Sequence, residues 1–253
     1  MRIPRSLQLE NETGKVHFYW RIHNKEYLLR AKKIKELYLR CWMLAMKTYS
    51  ELSGIKVHAY CVMDNHFHNV LSFSNGSNLL SRVVGYAHTL FGIRFNRFMK
   101  RSGKFADDRP KTSLIENDAH EMRAHMYVEA NPIRSGKTVL GKLKFDEFCS
   151  FGFYAYGFKT EFSSMLSLPN WYLRLGKTNR DRQRKYRRAF VAYVGSTLNN
   201  WKSTLFRRRF IGSSTWIEAQ NNRLLQLRND KCSSNSSEKS IMENFGNVNS
   251  SSG

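Results

Sequence analysis

Residues 60–71, with the sequence YCVMDNHFHNVL, decide the fold and point to its chemistry. The run reads as one β-strand, a tight turn at Asp64-Asn65 and a second β-strand. Successive side chains of a strand point to opposite faces, so His66 and His68 share one face while Phe67 points to the other. Two imidazoles side by side can bind a divalent metal ion, and Phe67 can anchor the strand in a core.

A second informative stretch is residues 126–136, MYVEANPIRSG. Tyr127 lies on a helix that is expected to end before Pro132, because proline disfavours helical geometry in the residue that precedes it. This tyrosine is a candidate nucleophile beside the metal. Asn131 lies one turn after it on the same helix face, so its amide oxygen is a candidate third metal ligand. Glu129 is the competing oxygen donor.

The apolar periodicity predicts an alternation of strands and helices around these two stretches. The predicted strands cover residues 16–22, 55–63, 65–73 and 111–115, and the predicted helices cover residues 30–53, 77–100 and about 117–130. The order is β-α-β-β-α-β-α. This order predicts an α+β, ferredoxin-like fold, in which an antiparallel sheet carries helices on one face.

The composition points to a nucleic-acid partner. The 253 residues carry a formal net charge of +22, far more than solubility requires, and a polyanion such as nucleic acid is the first expectation. No apolar run is long enough to span a bilayer, and no lipidation signal is present, so we expect no membrane partner. Four cysteines without a C-x-x-C pair favour a reducing cytoplasm over a disulfide-bonded or zinc-binding protein.

Charge and composition divide the chain into three predicted regions. Residues 1–160 form the ferredoxin-like domain. Residues 161–230 form a basic, helical, DNA-binding extension, with 14 Lys or Arg against 4 Asp or Glu, a net charge of about +10. Residues 231–253 are rich in serine and asparagine and are expected to be disordered.

The two motifs resemble those of single-tyrosine HUH transposases (HUH stands for His-hydrophobe-His), and specifically of the REP-associated tyrosine transposase branch. Residues 60–71 resemble the central strand of that family, and residues 126–136 resemble the end of its catalytic helix. Residues 103–109, GKFADDR, resemble the loop that precedes the fourth strand. The resemblance extends over about residues 1–220. One departure is Glu129, which stands where many relatives carry histidine.

The resemblance implies a metal-dependent transposase that cuts and rejoins single-stranded DNA at REP-like palindromic hairpins. It implies that His66, His68 and Asn131 hold Mg²⁺ or Mn²⁺ and that Tyr127 forms a covalent 5′-phosphotyrosine intermediate. It also implies a bacterial, cytoplasmic, nucleoid-associated protein that is a monomer or a homodimer. Two alternatives stay open: a non-catalytic DNA-binding or regulatory protein on the same fold, and a metal-dependent nuclease that uses water.

Single-stranded DNA binding needs positive charge along the backbone and aromatic faces for the bases. Candidate stacking residues are Trp20, Phe105 and Trp171. The candidate DNA-binding cations near the site are Arg21, Arg94, Arg97, Lys104, Arg109 and Arg134. A further group that we expect to grip a hairpin stem is Arg180, Arg182, Arg184, Lys185, Arg187 and Arg188.

Overall fold

The computed structural model describes residues 13–22, 26–49, 54–106, 110–197, 209–227 and 229–230. The elements in chain order are β1 (Gly14–Arg21), α1 (Lys32–Thr48), β2 (Lys56–Val62), β3 (His66–Phe73), α2 (Ser77–Phe98), β4 (Lys111–Ile115), α3 (Asp118–Glu129), α4 (Asn131–Arg134), α5 (Leu140–Leu143), α6 (Phe151–Tyr156), a 3₁₀ helix (Glu161–Met165), α7 (Asn170–Leu173), α8 (Asn179–Thr197) and β5 (Phe210–Ile211). Residues 214–227 are also helical.

The sheet has the strand order β2-β3-β1-β4-β5. The first four strands pair antiparallel, and β1 lies between β3 and β4. This is the predicted α+β, ferredoxin-like arrangement, and the fold class is confirmed. Its consequence for the site is that β1, whose partners are distant in sequence, lies directly beside the strand that carries the two histidines.

The predicted helices α1 and α2 lie together on one face of the sheet. Their apolar residues recur at helical spacing. Among them, Tyr38 and Trp42 of α1 share one core with Phe18, Phe67 and Leu71 of the strands. The N-cap residue of α2 is Gly76.

Helices lie on both faces of the sheet and not on one face as predicted, because α3 and the helices after residue 150 cover the other face. Ala59, Val70 and Ile115 of the strands share a second core with α3, α6, α7 and α8. This core crosses the predicted boundary at residue 160, and the division of the chain at that point stays a prediction. The predicted tail, residues 231–253, and Arg109 lie outside the described residues.

The sequence predicts only helices after residue 160, whereas the structure adds the short strand β5, which pairs parallel to β4. A strand of two residues is too short to show an alternating pattern in the sequence, so only its pairing with β4 identifies it. Among the described residues, no helix is both long enough and apolar enough to span a membrane.

Candidate active site

The predicted histidine pair and the predicted tyrosine meet at one pocket. His66 and His68 lie on the face of β3 that α3 covers, and the ring centroid of Tyr127 lies 5.7 Å from that of His68 in an edge-on contact. The pocket has a volume of about 200 Å³. Its lining residues are Tyr19, Arg21, Met63, His66, His68, Lys111, Ser113, Tyr127, Asn131, Arg134 and Ser135. Residues from three strands and from α3 and α4 thus converge here.

Each histidine of the pair has one ring nitrogen in a hydrogen bond and the other left for a ligand. Nδ1 of His66 lies 2.6 Å from Oδ1 of Asn65, and Nδ1 of His68 lies 2.9 Å from Nε2 of His17. In both rings the remaining nitrogen is Nε2. Because an imidazole that binds a metal commonly uses its other N–H to hold an acceptor, this pattern fits two metal ligands.

Burial keeps these imidazoles neutral. Desolvation, together with a smaller effect of the nearby cations Arg21 and Arg134, lowers the pKa of His66 to about 3. Desolvation also lowers the pKa of His68 well below its ordinary value. A neutral imidazole is the form that binds a metal ion, so both rings are in the binding form at neutral pH.

Asn131 is oriented with its amide oxygen directed away from the backbone. Its Nδ2 donates to the carbonyl oxygens of Tyr127 at 2.9 Å and Val128 at 3.1 Å. Pro132 has no N–H with which to bond the Val128 carbonyl, and the Asn131 side chain takes that place. Because both partners are acceptors, they require the NH₂ group, which leaves Oδ1 as the atom available to a ligand.

The structure contradicts Glu129 as the alternative metal ligand. Its carboxylate is fully buried and accepts hydrogen bonds from Ser150 Oγ at 2.6 Å and Tyr186 OH at 2.5 Å, and it lies 3.1 Å from His125 Nε2. Two residues along a helix correspond to about 200° around its axis, so Glu129 points away from the side on which Tyr127 faces the pocket.

A metal site at this pocket would have two imidazoles and one amide oxygen as its protein ligands. Among the residues that the structure describes, no three His, Cys, Asp or Glu side chains are grouped as a metal site. The donor set of His66, His68 and Asn131 fits a divalent ion such as Mn²⁺ or Mg²⁺ that keeps open positions for water or phosphate oxygens.

Tyr127 lies under a cation. The guanidinium carbon of Arg134 is 4.4 Å from the centroid of the Tyr127 ring, which is a cation–π contact. Both residues line the pocket together with Arg21 and Lys111. Three positive side chains around a single phenol make this pocket suitable for a phosphate group.

Several residues of the site were not predicted, namely Met63, Lys111, Ser113 and Ser135 of the pocket lining and the strand residues His17 and Tyr19. His17 and Tyr19 lie on β1, on the face that meets the histidine pair, and the Tyr19 ring centroid is 4.8 Å from that of His68 and 5.7 Å from that of His66. A signal existed in the alternation of residues 16–22, VHFYWRI, where buried apolar residues occupy every second position. That alternation assigns His17, Tyr19 and Arg21 to one face.

Ion pairs fix the frame of the site at both ends. At the turn before His66, Asp64 pairs with Lys35 at 2.9 Å and with Lys137. Burial raises the pKa of Asp64, but these two lysines outweigh it and hold the pKa below its ordinary value. At the start of α3, Lys15 pairs with the buried Glu121 at 2.7 Å. The Asp64 pairs tie this turn to α1 and to the segment after α4, and the Lys15–Glu121 pair ties α3 to β1.

The three predicted stacking residues are wrong as DNA-contacting surfaces. Trp20, Phe105 and Trp171 are 5%, 6% and 5% exposed. Trp20 lies face to face with His88, with ring centroids 4.0 Å apart, and packs on Phe105. Trp171 packs against His125 and Tyr186 in the second core. Their apolar surface is used in the cores, which leaves no free face for a base.

The predicted cations fall into separate groups. Arg21 and Arg134 line the pocket. Arg94 and Arg97 are exposed on α2, which packs on the face of the sheet opposite to the histidine pair, and their role in DNA binding stays a prediction. Lys104 is exposed on the loop after α2.

The predicted DNA-binding cations of α8 also differ in whether they are exposed or bonded within the protein. Arg182 donates to the carbonyl oxygen of Gly176 at 2.7 Å, and Arg187 donates to that of Ala155 at 2.5 Å, so both are used within the protein. Arg180, Arg184, Lys185 and Arg188 are exposed, although Arg184 and Lys185 pair with Asp181. The exposed members are the ones that can meet a phosphate backbone.

Comparison with known proteins adds little. No family model matches the chain, and no curated protein matches it. Among solved structures, the chain is similar to a REP-associated tyrosine transposase bound to a REP hairpin, with 14% identity and a TM-score of 0.46, over 58% of this chain and 82% of that one. A similarity of this size assigns neither a family nor a function, so the side chains of the pocket must carry any functional conclusion.

Proposed function

We propose that this chain is a metal-dependent transposase that cuts and rejoins single-stranded DNA through a covalent 5′-phosphotyrosine on Tyr127. The observation that carries the proposal is the convergence of Tyr127, His66 and His68 at one cationic pocket, from positions far apart in the sequence. A tyrosine beside paired neutral imidazoles and three cations suits phosphoryl transfer to a phenol.

The cleavage step is a displacement at phosphorus. The phenol oxygen of Tyr127 bonds to phosphorus and gives up its proton, while the bond from phosphorus to the 3′-oxygen breaks and that oxygen takes up a proton. The products are a 5′-phosphotyrosine and a free 3′-hydroxyl. Since the phosphodiester is exchanged and not hydrolysed, a 3′-hydroxyl can reverse the attack and rejoin strands without ATP.

The pocket residues have separate tasks in this step. Arg21, Lys111 and Arg134 hold the charged phosphate, and Arg134 also lies against the Tyr127 ring. His66, His68 and Asn131 would hold Mg²⁺ or Mn²⁺. When bound, that ion supplies Lewis-acid stabilisation of the charge that develops on the phosphate.

The proposed substrate class is hairpin-forming single-stranded DNA. This part of the proposal is supported by the resemblance of residues 60–71 and 126–136 to REP-associated tyrosine transposases and by the positive charge of the chain. The competing hydrolase, which activates water between two metal ions, has less support because the described residues include no group of three or more His, Cys, Asp or Glu side chains that could hold a metal ion.

The test of the proposal is the formation of a covalent adduct. Purified full-length protein is incubated with Mn²⁺ and a labelled pool of hairpin DNA, and the products are separated on a denaturing gel. We expect a protein–DNA band that requires the metal ion. Cleavage without such a band would favour the hydrolase, and metal-independent binding without cleavage would favour a regulatory protein.

Loss of one histidine ligand should abolish this chemistry. His66→Ala removes one of two imidazole ligands, so we expect Mn²⁺ affinity and adduct formation to fall by more than about 100-fold, beyond the effect of losing an outer-shell partner. Isothermal titration with Mn²⁺ and the gel assay measure the two effects. His88→Ala is a matched control, because His88 lies on α2 at the other face of the sheet. Equal Mn²⁺ binding by both variants would exclude the pocket as the metal site.

The exposed cations of α8 should contribute to DNA affinity through charge alone. For the double variant Arg180→Gln, Arg188→Gln we expect the slope of log Kd against log salt to fall by about 1 for each removed charge. The matched control is Arg82→Gln, Arg97→Gln, which removes two exposed arginines of α2 on the other side of the sheet. If both double variants lower the slope equally, net charge and not an α8 surface governs binding.

A further inference from the structure

His17 is the most deeply buried histidine that contacts the pair, and the proposed function gives it no task. It is 1% exposed, and His68 is 3% exposed. In the antiparallel register of β1 and β3, Tyr19 lies opposite His68 and His17 lies opposite Val70, so His17 is the diagonal neighbour of His68 on the same face.

The two rings meet edge to edge. Nε2 of His17 and Nδ1 of His68 are 2.9 Å apart, the ring planes differ by 13°, and the ring centroids are 5.1 Å apart. Rings in a face-to-face stack would bring their centroids closer than this. The geometry therefore describes one nearly planar unit in which a single proton joins two nitrogens.

This bond determines which nitrogen His68 offers to a ligand. A neutral imidazole has one donor and one acceptor nitrogen. If Nδ1 of His68 donates to Nε2 of His17, then Nε2 of His68 has its lone pair free toward the pocket. His17 cannot join His68 as a direct ligand of the same ion through Nε2, because that atom is already used against the His68 ring.

His17 also contacts the proposed nucleophile. Its ring centroid lies 5.8 Å from that of Tyr127 at an interplanar angle of 88°. One buried side chain thus touches both the ligand candidate and the tyrosine, and it is held by a strand in the middle of the sheet.

We propose that His17 is the positioning residue of the site: its Nε2 accepts the Nδ1–H of His68 and so presents the Nε2 of His68 to the divalent cation. This proposal rests on the proposed function, since it takes His66 and His68 as ligands. Outer-shell acceptors of this kind orient a ligating imidazole and raise its basicity, and their loss weakens metal binding by roughly 10–100-fold.

The test compares two substitutions that separate shape from hydrogen bonding. His17→Phe keeps a ring against Tyr127 but removes the acceptor, whereas His17→Gln keeps an oxygen that can accept the Nδ1–H of His68. Mn²⁺ binding to each full-length variant is followed by titration calorimetry and by the EPR signal of free Mn²⁺, with thermal unfolding as the check on folding.

We expect His17→Phe to weaken Mn²⁺ binding by roughly 10–100-fold and His17→Gln to restore most of it. We also expect the loss of adduct formation in His17→Phe to be recovered at high Mn²⁺ concentration, which a merely structural defect would not show. If His17→Phe binds Mn²⁺ like the wild type while His66→Ala does not, the role of His17 is refuted and the proposed function stands. If the wild type shows no saturable Mn²⁺ binding, both fail.

Discussion

Tyr127→Phe is expected to remove the covalent protein–DNA band completely and to lower strand cleavage by roughly 10⁴–10⁶-fold, the scale on which loss of an enzymatic nucleophile acts. The substitution deletes only the phenol oxygen. The ring can keep its edge contacts with His17 and His68 and its position under Arg134, so folding, Mn²⁺ binding and DNA binding should be retained. The denaturing gel measures the adduct, and a filter or gel-shift assay measures binding.

Tyr19→Phe is the matched control for this prediction. Tyr19 lines the same pocket and lies closer than Tyr127 to the ring of His68, with centroids 4.8 Å against 5.7 Å apart. Tyr127 is favoured as the nucleophile by its place on α3, one turn before Asn131 and beneath Arg134. An adduct that survives Tyr127→Phe but vanishes in Tyr19→Phe would move the nucleophile to β1 and refute the assignment.

Glu129→Ala is expected to destabilise the protein by roughly 3–5 kcal/mol, the range for removing one member of a buried charged network. The change leaves the buried side chains of His125, Ser150 and Tyr186 without their shared acceptor, and each buried polar group without a partner costs about 1–3 kcal/mol. Thermal unfolding should show the effect as a fall in Tm of roughly 10 °C.

Two variants serve as controls for the Glu129 prediction. Glu129→Gln keeps one acceptor oxygen and should lose less stability. Glu161→Ala removes the acceptor of the exposed pair with Arg40, at 3.0 Å, and should cost less than about 1 kcal/mol. If Glu129→Ala and Glu161→Ala had the same Tm, the buried network would not be what holds α3 to the C-terminal helices.

The Glu129 network matters for function because of its position on α3. Glu129 lies between Tyr127 and Asn131 in sequence but faces the second core. It therefore holds the side of α3 that is opposite to the side carrying Tyr127. In Glu129→Gln, which should stay folded, we expect adduct formation to fall more than DNA binding does, because the geometry of Tyr127 is relaxed.

Much of the fold follows from local signals in the sequence. The alternation of residues 66–73, the apolar spacing of α1 and α2, and Asn117 before α3 each act within one element. Asn117 accepts from the backbone N–H groups of Ala119 and His120, which is the capping that an asparagine at a helix start commonly provides. The residues of the histidine pair share a face for the same local reason.

Other features depend on contacts between distant segments, which no single stretch of sequence specifies. The burial of Trp20 and the separation of Arg94 from the pocket follow from packing of α2 on the sheet. Arg182 and Arg187 look like free charges in a basic run, yet both bond to backbone carbonyls. Composition cannot distinguish a cation that faces solvent from one that satisfies the protein interior.

By itself, then, the sequence determined the order of strands and helices up to α3, the shared face of His66 and His68, and the one-turn spacing of Tyr127 and Asn131. These depend on the two-residue period of a strand and the 3.6-residue period of a helix. Only the tertiary structure decided that His17 and Tyr19 join the site and that Glu129 turns away from it. Strand pairing across 51 residues joins His17 to His68, and the packing of α8 on α3 holds Glu129 in the core.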